Sequence, residues 1–138
     1  MSRAMLAAAV LLSACSTAAL RAQATLGPTC EPADLAPLLL TVPDSSGDYP
    51  QLRIWVFTPP AENTTLSAPA PDGEQFPNAA WCTAEFNCQA PASATVTFGK
   101  KHADRSIDFS VDARLSDGTR FTAARRARWK PAPSTECG

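Results

Sequence analysis

Hydrophobic and polar residues alternate most clearly near the C-terminal end of the chain. Between residues 107 and 115, apolar side chains occupy every second position and polar or charged side chains lie between them. A period of two places the two sets on opposite faces of a β-strand. Ser116-Asp117-Gly118 favours a three-residue turn, after which odd positions pair with odd positions, so that Phe121 and Trp129 share the apolar face. The pattern therefore predicts a β-hairpin over residues 106–130.

Apolar residues lie on both faces of a second segment, 51–58, which predicts a central strand buried on both sides. Two shorter segments, 79–82 and 93–99, are also predicted to be strands. Proline and glycine indicate a turn at 42–50 and a long exposed loop at 67–78. We expect an all-β or β-dominated fold, a small antiparallel meander that forms a sandwich or a partly open barrel.

One short helical turn is predicted before these strands, in the segment 31–40. Pro32 fits the first turn of a helix, whereas Pro37 limits its length. Residues 15–29 are small and polar, and they predict a flexible tether in front of a single β-rich domain at 30–138.

The first 14 residues have the organisation of a secretion signal. Arg3 supplies a positive charge, and the apolar stretch that follows is too short to span a bilayer as a permanent helix. Leu12-Ser13-Ala14-Cys15 then resembles the bacterial lipobox. The resemblance implies a lipoprotein precursor that is cleaved before Cys15 and lipidated on that cysteine. Ser16 resembles the next residue of lipoproteins that are directed to the outer membrane.

A second cleavage site is present in the same region. Ala22-Gln23-Ala24 fits an ordinary signal-peptidase site, with small residues flanking one other residue. Cleavage there would make the signal 1–24, and the protein would be soluble in the periplasm or secreted. Both interpretations predict export.

The cysteine content is also typical of an exported protein. Without Cys15 the chain has four cysteines, an even number that predicts two disulfides in an oxidising compartment. Of the three possible pairings we expect Cys82 with Cys88, a local loop, and Cys30 with Cys137, which joins the two ends of the domain. The spacing of these cysteines and the single histidine do not fit a zinc site, so no metal is expected.

Charge is divided unevenly along the chain. From residue 100 to 130 there are nine Lys and Arg residues against four acids, whereas from 30 to 99 only Arg53 is basic, against eight acids. On the outer face of the predicted hairpin this produces what we call the basic stripe. It forms a candidate binding surface, although pairing with acidic residues elsewhere in the fold would also explain it. The basic stripe consists of Arg114, Arg120, Arg126, Arg128 and Lys130.

Motifs of known catalytic chemistry are missing from the sequence. The chain has no GxSxG elbow, no HExxH pair and no glycine-rich nucleotide loop. His102 is the one histidine and lies in a charged turn, which predicts a solvated side chain and no catalytic base. We therefore expect no enzyme, no cofactor and no catalytic residues. Nucleic acid is not an expected partner, because the chain is exported and no aromatic ladder accompanies the basic stripe.

These observations predict a binding protein of the bacterial envelope, located in the periplasm and anchored to the outer membrane by its N-terminal lipid. We expect it to bind an envelope protein without catalysis, as an inhibitor or an immunity-type protein. The alternative is a structural accessory subunit of an envelope assembly or secretion complex. No residue motif in the sequence selects one partner.

Overall fold

A computed structural model describes residues 22–30, 37–57, 59–69 and 78–131. Within these ranges the chain forms nine strands and no helix. The strands are β1 (Thr25–Pro28), β2 (Leu38–Pro43), β3 (Gln51–Val56), β4 (Thr64–Ala68), β5 (Asn78–Ala84), β6 (Asn87–Gln89), β7 (Ser93–Lys101), β8 (Ile107–Arg114) and β9 (Arg120–Trp129). All belong to one curled, mixed sheet in the order β4-β7-β8-β9-β1-β2-β3-β5-β6. The prediction of a β-dominated fold is confirmed.

The hairpin formed by β8 and β9 has the predicted register. Arg114 lies opposite Arg120, so odd positions face odd positions on one side and even face even on the other. The N–H of Leu115 donates to the carbonyl of Thr119 at 2.7 Å, which closes the turn. Gly118 has a φ of 88°, a left-handed conformation that glycine adopts without steric cost. Phe121 is buried on the apolar face, as the alternation requires.

A parallel seam between β1 and β9 joins the two halves of the sheet. Leu26 lies beside Trp129 in this pairing. The N–H groups of Arg128 and Lys130 donate to the carbonyls of Ala24 and Leu26, both at 2.9 Å. The expectation of a purely antiparallel meander is therefore wrong at this position. Two antiparallel units, one on each side, meet along a four-residue strand.

The N-terminal predictions need two corrections. Of the predicted tether 15–29, residues 15–21 lie outside the described residues, but Thr25–Pro28 is the central strand β1. Of the predicted helical segment 31–40, residues 31–36 lie outside the described residues, but its last three residues begin strand β2. Strands β1 and β2 are both short. The conformation of such a short segment depends more on pairing with neighbouring strands than on its own sequence.

The structure has more strands than the pattern predicted. Residues 51–56 of the predicted segment 51–58 form strand β3, and residue 58 lies outside the described residues. The inner face of β3 is buried, but Arg53 and Trp55 on its outer face are only half-buried. Strands β4 and β6 were not predicted. Ser67 and Ala68 of the predicted loop 67–78 are the end of β4, and residues 70–77 lie outside the described residues.

The hydrophobic core lies inside the curl of the sheet. Alternate side chains of β1, β2, β3, β7, β8 and β9 point into it and are buried. Trp81 of β5 reaches across to Phe121 of β9, with 5.1 Å between ring centroids. Curling thus brings strands from opposite halves of the sheet into contact around one core.

The strand pairings define two ends of the curled sheet. At one end, which we call the mouth, strands β1, β3, β7 and β9 end and strands β2 and β8 begin. At the hairpin end, the β8–β9 turn lies beside the β5–β6 hairpin, because the Ser116 hydroxyl donates to the Gln89 side-chain oxygen at 3.1 Å. Ala22, which precedes β1, also lies at the hairpin end, since its N–H donates to the carbonyl of Ser45 at 2.7 Å. The two ends carry the two candidate sites.

Candidate functional site

The basic stripe lies on the outer face of the β8–β9 hairpin, and all five of its side chains are exposed. Arg120 binds Asp112 through two hydrogen bonds, from Nε at 2.9 Å and from Nη2 at 2.6 Å. This contact lowers the pKa of Asp112 below its ordinary value of 3.8 and raises that of Arg120. Arg114 is directly opposite Arg120 and also lowers the pKa of Asp112. One carboxylate therefore offsets the repulsion between two arginines.

A second carboxylate, that of Asp108, forms an ion pair with Arg126 of the basic stripe. The Nε of Arg126 donates to Oδ1 of Asp108 at 3.2 Å, across the hairpin. Asp108 Oδ1 also lies 2.9 Å from Nε2 of His102. The hydrogen bond with His102, followed by that with Arg126, lowers the pKa of Asp108. The stripe is thus divided into two ion-paired groups, which supports local charge pairing within the hairpin.

Three cations of the stripe form no direct ion pair with a carboxylate among the described residues: Arg114, Arg128 and Lys130. Water and salt screen the attraction between exposed charges, so the two pairs add little to stability. Arg125, the one charge in the apolar register, is half-buried, and its Nη1 lies 3.5 Å from the Ala22 carbonyl. The stripe stays a predicted binding surface, with a smaller excess of positive charge than the sequence suggests.

The β5–β6 hairpin presents a different kind of surface. Cys82 and Cys88 are joined by a disulfide that closes the loop between the two strands, as predicted. Phe86 lies at the tip of this loop with 94% of its surface exposed. Among the described residues, Phe86 is the one large hydrophobic side chain that is exposed. Its neighbours Glu85 and Asn87 are polar and exposed, so the ring has no apolar shelter within the loop.

The other predicted cysteine roles lie partly outside the described residues. Cys30 is disulfide-bonded, but its partner is not among the residues that the structure describes. Cys137 and the predicted lipidation site Cys15 are both outside the described ranges. The pairing of Cys30 with Cys137 and the lipid on Cys15 stay predictions.

A cleft of about 480 Å³ opens at the mouth of the sheet. Its wall is apolar and includes Leu26 and Trp129 from the seam. Leu38, Ile107, Phe57, Pro59 and Pro60 complete the apolar lining. Its rim carries three basic side chains, those of Lys101, His102 and Arg105. The prediction that His102 is solvated is wrong, because its side chain is only 19% exposed and is hydrogen-bonded to Asp108. The turn that looked like a surface loop therefore forms one side of a cleft.

The structure adds two observations that concern other classes of function. In the part of the chain that it describes, no three His, Cys, Asp or Glu side chains are grouped to hold a metal ion. The described residues also include no helix of the length and apolar character needed to cross a membrane.

The two features that the sequence interpretation missed are Phe86 and the mouth cleft. The signal for Phe86 was present: a single aromatic residue with polar neighbours in the short loop between two cysteines. The cleft had no such signal, because its walls come from strands far apart in sequence. Comparison with protein-family models, with curated proteins and with solved structures finds no match for this chain. Its function has to be argued from these sites.

Proposed function

We propose that this chain is an exported, lipid-anchored protein of the bacterial envelope that binds another envelope protein without catalysing a reaction. In this proposal it acts as an inhibitor or an immunity-type protein. The observation that carries the binding role is Phe86, which is 94% exposed at the tip of a disulfide-closed hairpin. The lipobox resemblance at Cys15 supports the anchor, and the disulfide is compatible with an oxidising compartment.

An aromatic ring held out into solvent is poorly explained by the stability of the fold. A phenylalanine buries about 150–250 Å² when it enters a pocket, and large anchors of this kind dominate the free energy of many interfaces. The disulfide between Cys82 and Cys88 restricts the loop before binding, so less conformational entropy is lost in the complex. The β5–β6 hairpin is thus suited to insert Phe86 into a pocket on a partner.

The unpaired charge of the basic stripe lies near this hairpin. Arg114 is at the last position of β8, at the hairpin end, and forms no direct ion pair with a carboxylate among the described residues. We expect it to contribute to the rim of the interface, where charge affects the association rate more than the final affinity. An acidic surface around the pocket of the partner would match it.

The test is capture of the partner from envelope extract with the purified protein and its variants. Phe86→Ala should abolish capture, or weaken the measured Kd at least tenfold, while leaving the melting temperature unchanged. Phe86→Leu keeps an apolar anchor and should retain most of the binding. The matched control is Thr83→Ala, an exposed position in the same loop, which should bind as the wild type does.

The outcome also distinguishes the alternatives. An inhibitor should form a complex with one enzyme and reduce its activity in a purified assay, whereas an accessory subunit should co-purify with several proteins. If Phe86→Ala instead reduces binding to vesicles of phosphatidylethanolamine and phosphatidylglycerol, the ring contacts lipid. Undiminished capture of the partner by Phe86→Ala would refute the proposed interface.

A further inference from the structure

The mouth cleft lies at the end of the sheet opposite to Phe86 and is a separate site. We propose that it binds a small organic anion with an apolar body, such as a medium-chain carboxylate. The mouth of a curled or barrel-like sheet is a common position for such sites, and a volume of about 480 Å³ falls within the usual range for small ligands. This proposal does not depend on the protein-binding role.

The apolar wall of the cleft indicates that the ligand has an apolar body. Leu26 and Ile107 are almost completely buried at its floor, and Trp129 is half-buried at its side. Pro59 and Pro60 also line the cleft with apolar surface and have no N–H groups to leave unsatisfied. A hydrocarbon or aromatic body would therefore remove apolar surface from water here without burying polar groups.

The basic side chains at the rim of the cleft indicate that the ligand carries a negative charge. Lys101 and Arg105 carry positive charges at the cleft, and neither side chain is ion-paired with a carboxylate among the described residues. The nearest acidic group to Lys101 is Glu62, whose Oε1 accepts a hydrogen bond from the Lys101 backbone N–H at 2.8 Å. The guanidinium of Arg105 lies over the ring of Trp129, 5.7 Å from its centroid. That contact holds a forked donor at the border between the apolar wall and the solvent. A carboxylate is the group that matches such a donor, because both of its oxygens can accept hydrogen bonds.

Arg105 also has an unusual backbone conformation. Its φ is 68°, in the left-handed region that residues other than glycine and asparagine seldom adopt. The turn around it is fixed by its own bonds: Arg105 N–H donates to the His102 carbonyl at 3.0 Å, and Asp104 Oδ1 accepts the N–H of Ser106 at 3.0 Å. Glycine would fit this position with less strain. An arginine there indicates that the side chain has a use, since strained residues concentrate at binding sites.

Two matched pairs of probes test the proposal on the intact protein. Anilinonaphthalene sulfonate and N-phenyl-1-naphthylamine have the same aromatic body, but only the first is an anion. We expect saturable binding of the anion with one site per chain, and at least tenfold weaker binding of the neutral amine. Decanoate should displace the fluorescent anion, whereas 1-decanol at the same concentration should not.

Variants at the rim separate a binding role from a structural one. Arg105→Gly removes the guanidinium and suits a positive φ, so it should fold as well as the wild type and bind the anion about tenfold more weakly. Lys101→Ala should weaken binding in the same direction. Lys100→Ala removes the neighbouring exposed charge, which is not part of the cleft, and should leave the affinity unchanged.

Three results would overturn the assignment. The first is no saturable binding of either aromatic probe. The second is equal affinity for the charged and the neutral probe, which would mean that the rim recognises nothing. The third is an Arg105→Gly variant that melts normally and binds the anion as the wild type does. That result would leave Arg105 with a role in the turn alone.

Discussion

The seam between β1 and β9 predicts a large cost for the substitution Gly27→Ala. A β-carbon built at Gly27 would overlap the backbone carbonyl oxygen of Lys130. Neither atom can move away by a side-chain rotation, because the contact involves the backbone of both strands. The two strands would have to separate, and the hydrogen bond from the Lys130 N–H to the Leu26 carbonyl, 2.9 Å long, lies beside the clash.

The magnitude follows from the groups that must move. Losing the two seam hydrogen bonds, which come from the N–H groups of Arg128 and Lys130, costs about 1 kcal/mol each. Residual overpacking adds about 1 kcal/mol or more. We therefore expect Gly27→Ala to lower the free energy of unfolding by about 3 kcal/mol. For a domain of this size that corresponds to a drop in melting temperature on the order of 10 °C.

Urea and thermal unfolding, followed by circular dichroism and tryptophan fluorescence, measure the effect. The control is Gly99→Ala in β7, where the added carbon would lie 3.5 Å from Asp108, an ordinary van der Waals contact. Gly99→Ala should change stability by less than about 1 kcal/mol. If Gly27→Ala unfolds at the same denaturant concentration as the wild type, the close approach of β1 to the end of β9 is wrong.

Four further predictions follow from other parts of the chain. Gly118→Val should cost about 2 kcal/mol in denaturant unfolding, because a β-branched residue is disfavoured at a φ of 88°. Since the folded pKa of Asp112 is depressed, its contribution to stability is fully present above the ordinary pKa of 3.8 and is lost as the pH falls through the lower pKa of the folded state. Melting curves of Asp112→Asn should accordingly show a weaker acid dependence. Cys15→Ala should abolish acylation in mass spectra of the exported protein. Non-reducing peptide mapping should link Cys30 to Cys137.

Each of these predictions has a contrary result. A Gly118→Val protein as stable as the wild type would mean that the turn is not the three-residue loop. An acid transition of Asp112→Asn identical to that of the wild type would show that the Arg120 ion pair does not matter for folding. A mature N-terminus at Thr25 without acyl chains would establish ordinary cleavage. A free thiol at Cys137 would remove the predicted terminal disulfide.

The sequence predicted those parts of the fold whose structure is determined by near neighbours. The register of β8 and β9 followed from a strict period of two and a turn that only one loop length fits. The disulfide between Cys82 and Cys88 followed from the small loop it closes. In both cases the interacting residues are close in sequence, so the local pattern contains the information.

Strands β1 and β4, which the sequence did not predict, are held by distant partners. Thr25–Pro28 has four residues, too few to show a period, and is a strand because β2 and β9 supply its hydrogen bonds on both sides. The candidate sites differ in the same way. Phe86 could have been recognised between its two cysteines, whereas the mouth cleft requires Leu26, Trp129 and Arg105 to meet, and no local pattern brings them together.

The position of Ala22 has a consequence for how the domain faces the membrane. If Cys15 is lipidated, only residues 16–21 separate the acyl chains from Ala22, and a fully extended segment of that length reaches about 20 Å. Ala22 lies at the hairpin end, so Phe86 would be directed towards the bilayer, within reach of membrane-embedded proteins. The chain then runs from Ala22 through strand β1 towards the mouth, and because Ala22 lies beside Arg125, four residues of β9, about 13 Å, separate the level of Ala22 from Trp129. The mouth cleft would then open away from the lipid surface, towards molecules that diffuse through the periplasm.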